Sequence, residues 1–139
     1  MMDIERIRDK LSEIKVYLIE LDEDIPEDKG EYLEERVTRR ACERTFQLAC
    51  EDVIDICNLI IAGKVLGLPK DNRDAIRKLA DNKIISEKLS AKLEDMVSFR
   101  NLLVHRYGNV DDSRAYSYLK DEMDDLYQFT MMIEKLIES

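Results

Sequence analysis

Ile4, Ile7, Leu11, Ile14, Leu18, Leu21 and Ile25 step by three and four without a slip. Only an α-helix gathers that spacing on one side. The stretch 3–24 is therefore predicted as a helix whose narrow apolar seam must be covered by a neighbour in a bundle. The stepping returns at the far end in Tyr116, Leu119, Met123, Leu126, Thr130, Ile133 and Ile137, which predicts a helix over 113–137. Between them, 31–62 carries a stripe of Cys42, Phe46, Ala49, Val53, Cys57 and Ile60. A weaker stripe, Val37, Ala41, Leu48 and Leu59, lies on another side. A helix with two apolar sides touches two things. Core plus a dimer partner is the economical reading; burial under other helices of the same chain competes with it.

Breakers are few, four Gly and two Pro. Pro26-Glu27-Asp28-Lys29-Gly30 ends the first helix, and Gly63 is expected as the C-cap of the second. Asp71 or Asn72 then caps a short helix over 73–81, and Ser86 opens a further long helix. No repeat or composition shift divides the chain. The expected architecture is all-α, an antiparallel bundle of four to five helices in one domain, 1–139.

Composition narrows the function classes. Charged residues make up 38% of the chain and the net charge is −9, which counts against a nonspecific nucleic-acid binder. It leaves room for a local basic site, and it suits a partner with a basic docking face. No apolar run reaches membrane-spanning length. Met1-Met2-Asp3-Ile4-Glu5-Arg6 has no signal-peptide apolar region, so the cytoplasm is the default location. Cys42, Cys50 and Cys57 lack a C-x-x-C pair, and one His cannot complete a zinc site with them. They read as small buried apolar residues. Gly63-Lys64-Val65-Leu66-Gly67 lacks both the order and the preceding strand of a P-loop. No catalytic metal or cofactor is expected.

One stretch breaks the pattern: Ser98-Phe99-Arg100-Asn101-Leu102-Leu103-Val104-His105-Arg106-Tyr107-Gly108, which holds the only histidine. Counted at 3.6 residues per turn, Leu89, Leu93, Met96, Val97, Leu103 and Val104 fall within roughly 60° of Arg100. A guanidinium thus sits in the middle of an apolar stripe, where it must be paired or face a wet cleft or interface. Glu51, Asp52 and Asp55, late in the second long helix, are the candidates to hold it, and the sequence does not choose among them. Asn101 and His105, four apart, share the stripe's edge.

Arg100, His105 and Tyr107 resemble the Arg-x4-His-x-Tyr motif of the HEPN superfamily in its HepT branch of small all-helical toxins. Asn101 matches the polar residue that commonly follows the family's Arg. Length, helix order and motif placement extend the resemblance over nearly the whole chain. It implies a toxin of a toxin–antitoxin system: a metal-independent endoribonuclease acting as a homodimer. It also implies an MNT-type nucleotidyltransferase antitoxin that attaches AMP to Tyr107.

The residues fit that chemistry. Imidazole titrates near neutrality, so His105 can carry a proton at the 2′-hydroxyl of RNA. Arg100 can hold two phosphoryl oxygens and stabilise charge building on phosphorus. Asn101 can orient the imidazole or bind the phosphate. Attack by the 2′-oxygen would leave a 2′,3′-cyclic phosphate and a free 5′-hydroxyl. Residues five apart on an ideal helix point about 140° apart, and one His cannot be both acid and base in a single step. A twofold dimer eases both difficulties by bringing two motifs to one cleft. Two other readings remain at this stage. One is a non-catalytic nucleotide-binding or regulatory partner of a nucleotidyltransferase. The other is a dimerisation module with Arg100 in an interface salt bridge.

Overall fold

The computed structural model of the chain describes residues 2–105 and 110–138. Seven helices and no strand occur among the described residues. They are α1 (Ile4–Asp24), α2 (Lys29–Glu34), α3 (Arg36–Lys64), α4 (Asn72–Asp81), α5 (Glu87–His105), α6 (Asp112–Asp121) and α7 (Asp124–Glu138). The seam of α1 is buried at Ile7, Leu11, Ile14, Leu18 and Leu21, and it faces α3 and α7. Burial of each such side chain contributes about 1.5–3 kcal/mol, which offsets the entropy of fixing its backbone. The strong stripe of α3 is buried throughout, with Cys42, Cys50 and Cys57 as free thiols inside the core.

Among the described residues the count of seven corrects the expected four to five, and both extra helices come from breaks inside stretches expected as single helices, 31–62 and 113–137. The first is at Glu35, whose φ −98° and ψ 86° turn the chain between α2 and α3. The break leaves carbonyls of Tyr32 and Leu33 open, and Arg39 Nη1 donates to both. It also lets the buried Tyr32 ring lie 5.1 Å from Tyr116 of α6. The second break, at Glu122–Met123, is milder. The N–H groups of Asp125 and Leu126 donate to the carbonyls of Glu122 and Met123, three residues back (3.4 and 3.1 Å), so the seam keeps its phase.

Gly63 is not the C-cap. It lies inside α3, where an added Cβ would come 2.6 Å from Met2 Cα. The left-handed turn falls at Val65, φ 55°, two residues later. Asp71 does cap α4, accepting from Asp74 N at 2.8 Å, and Ser86 Oγ accepts from Leu89 N at the head of α5. The weaker stripe of α3 is uncovered at its start, Val37 being 76% exposed. No helix is long and apolar enough to cross a membrane among the described residues.

Candidate functional site

Helix α5 buries Leu89, Leu93, Met96, Val97 and Leu103 against α3, α4 and α7. Val104, assigned by its spacing to the same stripe, instead stands 42% exposed. Arg100 lies within the stripe, its side chain 19% exposed. The side chain is anchored at its tip. Nη1 donates to Asn101 Oδ1 at 3.2 Å and Nη2 to Glu51 Oε1 of α3 at 3.5 Å. Its Nε is buried with no hydrogen-bond partner among the described residues. A buried donor without a partner costs about 1–3 kcal/mol, so part of this guanidinium's bonding capacity is unused.

Of the three carboxylates, only Glu51 reaches Arg100. Asp52 and Asp55 turn toward α1 instead, where Lys10 Nζ lies 3.7 Å and 3.1 Å from them. Asp52 lies about 100° round α3 from Glu51, and Asp55 lies about 6 Å further along the axis, so both meet α1 instead. Burial pushes the Asp52 carboxyl up to about 7, reinforced by the hydrogen bond and charge of Glu13 and opposed by Lys10. Burial works against the Lys10 charge too, yet Asp55, Asp52 and Glu13 hold its ammonium above the usual range.

Behind Arg100 the surroundings are apolar. Cys50 is fully enclosed, and burial raises its thiol well above the ordinary range against the pull of Arg100. It stays protonated and is no nucleophile. Phe46, Phe99 and Tyr118 form a ring cluster with centroids 4.4–5.9 Å apart. Burial raises the Tyr118 phenol. His105 is the last described residue of α5 and is exposed, one turn beyond Asn101. Tyr107, the proposed AMP acceptor, lies outside the described residues. No group of three or more His, Cys, Asp or Glu with metal-binding geometry occurs among the described residues.

The sequence reading missed Arg44. Its Nη1 lies 4.0 Å from the same Glu51 oxygen and 3.4 Å from Gln47 Oε1. The signal was present, because residues seven apart return to one helix face. The aromatic cluster was missed because its three members come from α3, α5 and α6, and no local spacing links them.

Comparison with known proteins bears on this arrangement. A family described as Ribonuclease HepT-like matches residues 7–133. The chain is similar to the mRNA nuclease HepT of Shewanella oneidensis, 35% identical over 89 residues, which are 64% of this chain and 67% of that one. It is similar in structure to the tri-AMPylated HEPN toxin of Shewanella oneidensis in complex with MNT antitoxin. There the TM-score is 0.89 and the identity 28%, covering 97% of this chain and 99% of that one. A crystal structure of a toxin–antitoxin with AMP-PNP gives a TM-score of 0.88 at 27% identity, covering 94% of this chain and 98% of that one.

Proposed function

The chain belongs to the Ribonuclease HepT-like family, and on that footing we propose that it is the ribonuclease toxin of a toxin–antitoxin pair. The observation that carries this reading is Arg100. A guanidinium set in an apolar stripe is held at its tip by Glu51 and Asn101, on the same final turns of α5 as the exposed His105. A fixed cation on the same helix as an exposed imidazole suits phosphoryl chemistry, where positioning and charge stabilisation supply most of the barrier reduction.

In this mechanism Arg100 receives the non-bridging oxygens of the scissile phosphate. His105 takes the proton of the 2′-hydroxyl as the 2′-oxygen bonds to phosphorus. The bond from phosphorus to the 5′-oxygen breaks, and that oxygen leaves with a proton from the partner's His105. The products are a 2′,3′-cyclic phosphate and a 5′-hydroxyl, and the step takes no metal. A homodimer is part of the proposal, since one chain has one imidazole. Leu102 and Val104, 61% and 42% exposed beside the motif, and Val37 on α3 are apolar surface that a second copy would cover.

Restraint comes from an MNT-type nucleotidyltransferase that transfers AMP from ATP to the Tyr107 hydroxyl, the phenolic oxygen bonding to the α-phosphorus as pyrophosphate leaves and the phenolic proton is lost. A bulky anion two residues from His105 fills the phosphate site and repels RNA. The acidic net charge of −9 favours a second reading, a regulatory partner of the nucleotidyltransferase that binds nucleotide without cleaving. Incubating the antitoxin-free chain with RNA in the presence of a chelator separates the two. Cleavage with cyclic phosphate ends supports the ribonuclease; intact RNA favours the regulatory partner.

A further inference from the structure

Four arginines fall within nine residues at the start of α3: Arg36, Arg39, Arg40 and Arg44. They divide into two kinds. Arg39 is structural: it caps the open carbonyls of α2, and its Nε lies 3.5 Å from Asp112 of α6. Arg36, Arg40 and Arg44 make none of these contacts. They are spaced by four, so they fall within about 80° on one helix face, on rungs about 6 Å apart. All three are exposed. Arg36 and Arg40 make no ion pair or side-chain hydrogen bond among the described residues. Glu43, the acidic residue among them, is buried.

This arrangement works against the helix. Like charges at i and i+4 repel by a few tenths of a kcal/mol per pair. Cations in the first turn oppose the macrodipole. The first turn of α3 has no acidic residue, and Glu35 makes no side-chain capping bond there. Such a cluster is locally unfavourable, and a site that breaks local rules without a structural gain is a functional candidate.

The face leads directly to Arg100. Gln47 and Glu51 continue the same line, Arg44 is 4.0 Å from Glu51, and Glu51 is 3.5 Å from Arg100. We infer that Arg36, Arg40 and Arg44 form a track that holds the phosphate backbone of a single RNA strand and feeds it to Arg100. The inference rests on the ribonuclease reading. The rung spacing is of the order of the distance between neighbouring phosphates on an extended strand, and a cationic line is how single strands are tracked. A cluster of three exposed cations would give an acidic protein a local place for a phosphate chain. Phosphate contacts carry no sequence information, so the track sets the path of the strand and not its sequence.

The test is fluorescence anisotropy with a 2′-O-methyl RNA oligonucleotide, which offers no 2′-hydroxyl nucleophile, titrated at several salt concentrations. The full chain is compared with the triple variant Arg36→Gln, Arg40→Gln, Arg44→Gln. Each phosphate contact on a single strand contributes about 0.7 to the log–log salt slope, so the triple variant should flatten it by about two. Affinity should fall alike for oligonucleotides of different sequence. Thermal melting should show no loss of stability, since the repulsion is relieved. An unchanged slope and affinity overturn the track. So does a variant that keeps its RNA slope but loses dimer mass or capture of the nucleotidyltransferase, which would make the face a protein-docking surface. Binding is read without cleavage, so a chain that tracks RNA but does not cut it sinks only the ribonuclease reading.

Discussion

Arg100 Nη2 lies 3.5 Å from Glu51 Oε1, and that contact joins the motif helix to α3 beside the arginine track. Glu51 is 41% exposed, so the pair is worth no more than about 1 kcal/mol of stability. Its value is in position. Glu51→Ala should lower RNA cleavage about tenfold or more while the unfolding midpoint stays nearly fixed, because misplaced charge costs the transition state more than the fold. Glu51→Gln keeps an acceptor of the same reach and should restore part of the rate. Equal losses in both variants, with falling stability, would make Glu51 merely structural.

Asp52 should make stability depend on pH. Burial and Glu13 hold its carboxyl at about 7 in the folded protein, against an ordinary value of 3.8. The folded state therefore keeps a proton that the unfolded chain releases. Its contribution favours folding at low pH and is lost as pH rises from about 4 through 7. Asp52→Asn removes this loss. The variant should match the parent near pH 4 and exceed it by about 1–3 kcal/mol at pH 8 in urea denaturation. A gap independent of pH would contradict the assignment.

Tyr116 ties α6 to the connection after α1, its hydroxyl donating to the carbonyls of Pro26 at 2.6 Å and Glu27 at 2.8 Å. Tyr116→Phe leaves both acceptors without that donor and should cost about 1–2 kcal/mol in urea denaturation. Catalysis per folded molecule should be unchanged.

Tyr107 is proposed as the AMP acceptor. Co-expression with the nucleotidyltransferase should add AMP mass to the parent chain and none to Tyr107→Phe, read by intact-mass spectrometry. Unchanged AMP addition in the variant would move the acceptor to another residue.

The sequence made some of this legible and hid the rest for physical reasons. The seam of α1, the buried cysteines, a cap at Asp71 or Asn72 and the Arg100 set in an apolar stripe were readable because each is a local signal or a local violation of one. The break at Glu35 was not, since no Gly or Pro marks it. It is stabilised from a distance by Arg39 and by Tyr32 packing on Tyr116. The break at Glu122 kept its seam in phase and so left no trace in the spacing. Gly63 misled because a close approach by Met2 and a C-cap both call for glycine. Choosing Glu51 over Asp52 and Asp55 needed the rotation of α3 against its neighbours, which spacing alone does not define.

The most direct test of the central claim is the RNA cleavage rate of the antitoxin-free chain beside His105→Ala, each shown to be folded and in the same oligomeric state. Removal of a general acid–base group costs about 10²–10⁴-fold. The account predicts a loss of that size, with the variant still binding RNA along the arginine track. Parent-like cleavage by His105→Ala, or no cleavage by the parent, would contradict it.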